Sequence, residues 1–267
     1  MVFKMRWECL TSPDIEMAAK NNLVAILPVG SIETHGPHMP TGTDFLAAYE
    51  IAKRAAEREP AVVLPPICYA YVAESSHFPG TIALTAKTLL TMLEEICDEI
   101  ARNGFKKILI INGHGGNIPL LRVFLREHLT KKKDYTLYGL ILPYPGPVRE
   151  VIQEIRETER GGHAGEIETS IGLYLFGNLV KMENVKGEAK VGSTNLPREI
   201  ETPVDWPARA LQLYMGDPTL ASKEKGEKIV EKFIEFLAEV IRKIKHDEHI
   251  PSVLDEFHER RIRPSMR

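Results

Sequence analysis

Histidine and carboxylate side chains occur in three short, glycine-containing segments of the chain. In chain order they are Glu33, His35, Asp44, His114, His163 and Glu166. A mixed set of carboxylate oxygens and imidazole nitrogens suits zinc, manganese or iron(II), and a carboxylate that bridges points to two ions. Two such ions can hold a hydroxide between them and polarise a carbonyl oxygen. The residue types therefore predict metal-assisted hydrolysis.

The spacing within each segment supports a shared site, although each residue alone has a simpler explanation. Glu33 and His35 are two residues apart, so an extended segment directs both side chains to one face. A helix places His163 and Glu166 about 60° apart around its axis. Alone, Asp44 is a typical helix cap and Glu166 a typical first-turn acid. The convergence of three segments favours the metal site.

The stretch Ile111–Asn117, which reads INGHGGN, follows the apolar run Lys107–Ile111. Such a stretch is typical of a phosphate-binding loop, of a tight turn or of a loop whose histidine binds a metal. No Lys-Ser or Lys-Thr pair follows the glycines, which argues against a phosphate loop. We expect His114 to bind metal, and we expect Gly115 and Gly116 to let the backbone approach the substrate closely.

Alternating apolar runs and helical periodicities predict the elements that position these residues. Strands are predicted at 23–29, 61–66, 107–111 and 135–142, and helices at 45–58, 88–102, 118–129, 149–157, 166–176 and 219–245. This alternation predicts one α/β domain over residues 1–267, with three α/β/α layers and a mostly parallel central sheet. Ligands bind outside the carboxyl ends of such strands, so the loops after the first and third strands are expected to share a crevice. The irregular stretch 185–215 is predicted to be a lid or an oligomer contact.

Composition narrows the class of protein. The formal net charge of -3 argues against a nucleic-acid binder. The sequence contains no run of 18 apolar residues, so no membrane span is predicted. Residues 1–6 lack the apolar core of a signal peptide. The three cysteines show no C-x-x-C pairing and are interpreted as reduced thiols of a cytoplasmic protein. Abundant Lys and Glu favour a thermophilic source.

Five blocks of the sequence, in order, resemble the creatininase (creatinine amidohydrolase) family. The blocks lie at 28–44 (including PVGSIETHGPHMP), 77–81 (HFPGT), 112–117 (NGHGGN), 163–170 (HAGEIETS) and 216–226 (GDPTLASKEKG). The resemblance extends over residues 23–241. It implies a dinuclear metal centre in which Glu33 and His114 bind one ion, His35 binds the other and Asp44 bridges them. It also implies a homo-oligomer, commonly a hexamer.

The resemblance leaves the fifth ligand open. Creatininase itself has a glutamate two residues after the histidine of the third block, where this chain has Gly116. We expect Glu166 to complete the second ion's shell and so to belong to the catalytic set, with Glu168 as the alternative. His163 matches the family's proposed proton-transfer histidine, which would act as general acid. The alternative for His163 is a structural histidine bonded to backbone at a helix start.

The resemblance implies several substrate classes. Family members open creatinine, deformylate a pyrimidine nucleotide intermediate, trim a small peptide or cleave a C–C bond in a cyclic diketone derived from inositol. Creatininase has two tryptophans near its substrate, whereas Trp7 and Trp206 of this chain lie outside the 144–163 region, which disfavours creatinine.

We predict hydrolysis of a small cyclic amide. The alternatives are ring-opening C–C hydrolysis of a 3-dehydro-scyllo-inosose type diketone, deformylation of a formamide and, from another class, a non-catalytic scaffold. The few basic residues near 149–160 disfavour a nucleotide. His77 and Tyr71 are predicted to contact the substrate.

Overall fold

A four-stranded parallel sheet forms the centre of the protein. The computed structural model describes residues 5–159, 161–197, 199–264 and 266. The first four residues, which entered the signal-peptide argument, lie outside the described residues, as does residue 160. The strands are β1 (Ala25–Val29), β2 (Val62–Val63), β3 (Lys107–Asn112) and β4 (Thr136–Leu140), in the spatial order β2-β1-β3-β4. All three pairings are parallel, which confirms the predicted fold class.

Helices connect and cover these strands. They are α1 (Ser12–Lys20), α2 (Thr43–Arg58), α3 (Ala86–Arg102), α4 (Ile118–Glu127), α5 (Gly146–Ile155), α6 (Glu166–Phe176), α7 (Asp205–Arg209), α8 (Lys223–Lys245) and α9 (His249–Ile262). The sequence prediction omitted α1 and the short α7, and gave no bounds for α9. No described helix combines the length and the apolarity that a membrane crossing needs.

Alternate side chains along the strands enter two separate cores, one on each face of the sheet. Ile26 and Leu109 pack in the cluster that includes buried residues of α2, α6 and α8. Leu27 and Ile108 pack in the other cluster, with buried residues of α1, α3 and α4. Because successive strand residues point to opposite faces, a sheet buried on both sides reads as a continuous apolar run. The fold therefore has three layers.

Helix α8 lies directly against the backbone of α6. A Cβ atom on Gly226 would lie 1.9 Å from the carbonyl oxygen of Ser170. Only glycine permits this approach, and the side chain of the preceding residue, Lys225, therefore reaches the first turn of α6. Through this contact, Glu166 is the acidic residue of α6 that faces α8.

Candidate metal centre

The register of β1 and β3 brings two of the candidate segments together. Val29, the last residue of β1, pairs with Asn112, the last residue of β3. The loops that follow leave the same edge of the sheet side by side. Their side chains meet in the buried interior, where Nδ1 of His114 lies 3.2 Å from Oε2 of Glu33.

The first turn of α2 packs against the ends of both strands because two glycines make room for it. A Cβ on Gly30 would lie 2.3 Å from the backbone nitrogen of Phe45, and one on Gly113 would lie 2.5 Å from the carbonyl oxygen of Asp44. Asp44 is not the helix cap, since Gly42 holds that position. Its buried carboxylate instead enters the space between the two loops.

Asp44 contacts both histidines of these loops with different oxygens. Its Oδ1 lies 3.0 Å from Nε2 of His35, and its Oδ2 lies 2.8 Å from Nδ1 of His114. The hydroxyl of Ser31 donates a hydrogen bond to Oδ2 at 2.7 Å. One carboxylate thus faces two imidazoles, one with each of its oxygens.

Backbone carbonyls fix which nitrogen of His35 and of His163 faces the cluster. Nδ1 of His35 lies 3.0 Å from the carbonyl oxygen of Glu33. Because a carbonyl only accepts, Nδ1 carries a hydrogen, and Nε2 is the nitrogen that faces the cluster. By the same reasoning, Nε2 of His163 donates to the carbonyl of Thr34 at 2.9 Å. Nδ1 of His163 then faces Glu33 Oε2 at 3.9 Å.

Burial and charge act in opposite directions on these groups. Burial alone would raise the pKa of Asp44, but His35 and His114 hold it well below its usual value. Burial alone would lower the pKa of His35, but Asp44 raises it to about 9. The carboxylates therefore stay ionised in the buried cluster. A divalent cation would take the place of the imidazole protons.

An unpaired oxygen of the cluster fits a metal ion. Oε2 of Glu33 is buried and has no hydrogen-bond partner among the described residues. Buried polar atoms are otherwise almost always paired, so an unpaired carboxylate oxygen beside imidazole nitrogens fits a bound cation. Ligand atoms of Glu33, Asp44 and His114 lie within 4.8 Å of one another, as do those of Glu33, His35 and His163. This nitrogen and oxygen set suits zinc or manganese.

The prediction that Glu166 joins this cluster differs from the structure. Its fully buried carboxylate accepts hydrogen bonds from the backbone N–H groups of Glu157 and Thr158, and from Nζ of Lys225 at 2.6 Å. Glu168 faces the cluster instead, with Oε2 at 3.8 Å from Nε2 of His35.

Helix geometry explains why Glu168, and not Glu166, faces the cluster. Residues two apart on a helix point about 200° apart, so Glu166 and Glu168 cannot both face the site. His163 and Glu166 do not lie on one face of a helix, because α6 begins only at Glu166. Ala164 between them adopts φ 49°, outside the helical region, and its N–H donates to Glu168 Oε2 at 2.6 Å.

The predicted substrate-contacting residues occupy different environments. His77 is exposed, and its ring contacts Phe78 at a centroid distance of 4.9 Å. Tyr71 is also exposed. No hydrogen bond or ion pair within the described ranges joins either residue to the clustered carboxylates. A Cβ on Gly115 would meet open space, whereas one on Gly116 would lie 2.5 Å from Nε2 of His114.

Two side-chain contacts at the site were not predicted. Trp206 of α7 lies edge-on to His163, with ring centroids 5.5 Å apart, and its buried indole N–H has no partner among the described residues. Ser75 is buried and donates a hydrogen bond to Oε1 of Glu33. Both come from segments distant in sequence, so no local spacing signals them. Trp206 reaches the site because the chain after α7 returns to His163, whose carbonyl oxygen accepts a hydrogen bond from the N–H of Met215 at 2.7 Å.

Comparison with known proteins identifies relatives along most of the chain. The profile of the creatininase family, described as creatinine amidohydrolase, matches residues 8–241. Creatinine amidohydrolase of Pseudomonas putida is 33% identical over 241 residues, covering 84% of this chain and 90% of that protein. Mycofactocin precursor peptide peptidase of Mycolicibacterium smegmatis is 28% identical, covering 84% and 86%. The 3-dehydro-scyllo-inosose hydrolase of Thermotoga maritima is 26% identical, covering 89% and 83%.

Solved structures of creatininase share the fold. A manganese form aligns with a TM-score of 0.77 at 29% identity, covering 91% of this chain and 100% of that chain. A variant described as Zn–Zn type aligns with a TM-score of 0.75 at 29% identity, covering 91% and 99%. The relatives therefore include both zinc and manganese forms.

The environment of Glu166 makes a stability prediction. Replacing this buried carboxylate leaves Lys225 paired with Glu157 alone. Because a charge-assisted hydrogen bond is lost, Glu166→Gln is expected to lower the free energy of unfolding by about 2 kcal/mol. Burial alone would raise the pKa of Glu166, but Lys225 and Thr158 hold it below its ordinary value of 4.5. The wild-type advantage is therefore complete above pH 4.5 and is lost as the pH falls through the lowered folded-state pKa.

Urea unfolding of the metal-free proteins at several pH values measures this effect. Exposed Glu227 on α8 provides the control, because Glu227→Gln should change stability by less than about 0.5 kcal/mol. Equal stability of Glu166→Gln and Glu227→Gln at pH 7 would contradict the assigned ion pair.

Proposed function

The chain belongs to the creatininase family, whose relatives are hydrolases, and we propose that it hydrolyses a small cyclic amide with two divalent metal ions. The observation that carries the proposal is the position of Asp44, whose two oxygens face His35 Nε2 and His114 Nδ1 separately. Bound at this site, two ions supply an activated water and polarise the substrate carbonyl.

The contacts divide the ligands into two sets that share Asp44. Glu33 and His114 form one set, since Oε2 and Nδ1 lie 3.2 Å apart. His35 and Glu168 form the other, with Nε2 and Oε2 3.8 Å apart. Glu168 takes the place first assigned to Glu166. Its backbone hydrogen bond from Ala164 holds the carboxylate in that direction.

His163 is the proposed proton carrier. Its Nε2–H is bound to the Thr34 carbonyl, so Nδ1 is the nitrogen that exchanges a proton with the reacting groups. Glu33, whose Oε2 lies 3.9 Å away, stabilises the charged imidazole when Nδ1 is protonated. His163 can then deliver that proton to the departing nitrogen as general acid.

Two side chains beside the proposed ligands can donate hydrogen bonds to a substrate. Tyr144 borders a cavity of about 50 Å³ together with Asp44 and Glu168, and most of the other residues that line it are apolar. Burial, with the nearby charges of Glu168 and Asp44, keeps the pKa of Tyr144 well above its usual value, so its hydroxyl is a neutral donor. Trp206 offers a second donor beside His163. Two donors suit a substrate with several oxygen atoms.

Ring-opening hydrolysis of a cyclic diketone is the second candidate. The Thermotoga maritima relative is named for a hydrolase of 3-dehydro-scyllo-inosose and covers 89% of this chain. The same carbonyl activation serves C–N and C–C cleavage, and hydroxyl-rich rings match the donors above. Deformylation of a formamide is a third candidate.

Four further expectations stay predictions: a cytoplasmic location, iron as the native metal, a thermophilic source and a hexamer. Light scattering tests the hexamer.

Metal content tests the ligand assignment. Purified protein dialysed against zinc or manganese is expected to hold about two ions per chain. Glu168→Gln is expected to lose about one ion, because it removes a ligand of the second ion only. Glu166→Gln is the matched control, two residues away on the same helix, and is expected to keep both. Elemental analysis measures the content, and loss of metal from Glu166→Gln but not from Glu168→Gln would contradict the assignment.

A hydrolysis screen tests the reaction. Cyclic amides, formamides and cyclic diketones are incubated with the manganese-loaded or zinc-loaded protein, and cyclic amides are expected to react. Reaction of the diketones alone would refute the amide proposal and leave the metal site standing. A wild-type protein that holds metal but hydrolyses none of the three classes would contradict the enzyme proposal.

The substrate found in the screen then tests Trp206. Trp206→Phe keeps a ring beside His163 but removes the indole N–H. It is expected to reduce kcat/KM about 2- to 10-fold, the effect of one neutral hydrogen bond. Trp7→Phe is the control, because Trp7 is not part of the site. It packs on Phe105, at a centroid distance of 5.3 Å, against the core that contains buried residues of α1, α3 and α4. An unchanged kcat/KM for Trp206→Phe would exclude the indole N–H as a substrate donor.

A further inference from the structure

We propose that Glu74 is a positioning residue whose carboxylate accepts the Nε2–H of His114 and fixes that imidazole for metal binding. The inference rests on the proposed metal site. It concerns a residue outside the two ligand clusters, in the 3₁₀ turn Ala73–Ser75.

The two nitrogens of His114 have opposite surroundings. Nδ1 faces the carboxylates of Asp44 and Glu33, at 2.8 Å and 3.2 Å, so Nδ1 is the atom that would bind an ion. A neutral imidazole that gives one nitrogen to a metal carries its hydrogen on the other. That other nitrogen, Nε2, is buried and has no partner among the described residues. It needs an acceptor.

Glu74 supplies an acceptor close to His114 Nε2. A Cβ atom built on Gly116 would lie 2.5 Å from His114 Nε2 and 2.7 Å from Glu74 Oε1, so both atoms border one small space. Within the described part of the chain, Glu74 forms no hydrogen bond or ion pair that would hold its carboxylate elsewhere. The gap closes by rotation of the flexible Glu74 side chain or through one bridging water. Histidines that bind metals commonly donate their second N–H to a carboxylate in this way.

The neighbour of Glu74 anchors it to the site. Ser75 is buried and donates a hydrogen bond to Oε1 of Glu33, which ties the 3₁₀ turn to a ligand of the same ion. Glu74 is therefore held beside His114 by a contact independent of its own side chain. It is not a ligand of the ion at Nδ1, because it lies on the opposite side of the imidazole ring from Glu33 and Asp44.

This arrangement explains why position 116 is glycine. The φ angle of Gly116 is not positive, so its backbone conformation does not require glycine. Its neighbour Gly115 meets open space, which shows that the loop is not crowded throughout. Any side chain at position 116 would enter the space between His114 Nε2 and Glu74 Oε1. Glycine keeps the line between the two atoms open.

Metal titration of the dialysed, metal-free protein tests the inference without reliance on activity. Zinc and manganese affinities are measured against a chelating dye for wild type, Glu74→Ala and Glu74→Gln. Glu74→Ala is expected to weaken binding about 10- to 100-fold at unchanged stoichiometry. Glu74→Gln is expected to be weakened less, because its amide oxygen still accepts a hydrogen bond. The control is Glu183→Gln, an exposed glutamate in the 3₁₀ turn Met182–Asn184.

A second variant and the metal-free state separate positioning from general stability. Gly116→Ala is expected to weaken metal binding with Glu74 intact, because the methyl group enters the shared space. Thermal unfolding of the metal-free Glu74→Ala protein should match wild type, since no carboxylate contact is lost in that state.

Three results would overturn the inference. Unchanged affinity of Glu74→Ala would refute the inference alone and leave the proposed function intact. Loss of a whole ion from that variant would make Glu74 a ligand. A wild-type protein that binds no metal would overturn both the inference and the proposed function.

Discussion

The close packing of the first turn of α2 against the ends of β1 and β3 is the constraint on which the site depends. Without side chains at Gly30 and Gly113, the helix approaches to backbone contact, and Asp44 is carried between two loops that the sheet register has already aligned. A carboxylate can face two imidazoles from there. The same position would be sterically closed to Asp44 if either glycine carried a Cβ.

Charge balance follows from that geometry. A buried cluster of carboxylates is costly unless cations or donors compensate it. Here three candidate ligands are oriented by neutral neighbours: Ser31 donates to Asp44, Ser75 donates to Glu33, and the Glu33 carbonyl accepts from His35. Such outer contacts hold side chains in place before an ion binds, which reduces the ordering cost of binding. Of the buried atoms without a partner among the described residues, Oε2 of Glu33 fits a bound cation and Nε2 of His114 faces the space that Glu74 borders.

The fold was largely predictable because its signals are local. The limits of α6 were predicted as observed, and the end of α3 was signalled by Asn103 and Gly104, whose φ of 98° ends the helix. The apolar runs of the sheet were found, although β2 has only two residues, Val62–Val63. Helix α1 was missed, although a capping box between Thr11 and Asp14 marks its start. The missed helix lies at the edge of the core, where the apolar periodicity of the sequence is weak.

The sequence by itself determined the chemistry of the site: which residue types are available, and that Glu33 and His114 follow strand ends. Parallel strands in register leave that relation little freedom. Only the tertiary structure decided between Glu166 and Glu168, because the outcome depends on the residue at which α6 begins and on the approach of α8 with Lys225. It alone brought Trp206 to the site, since contacts across long sequence separations leave no periodic signal in the chain.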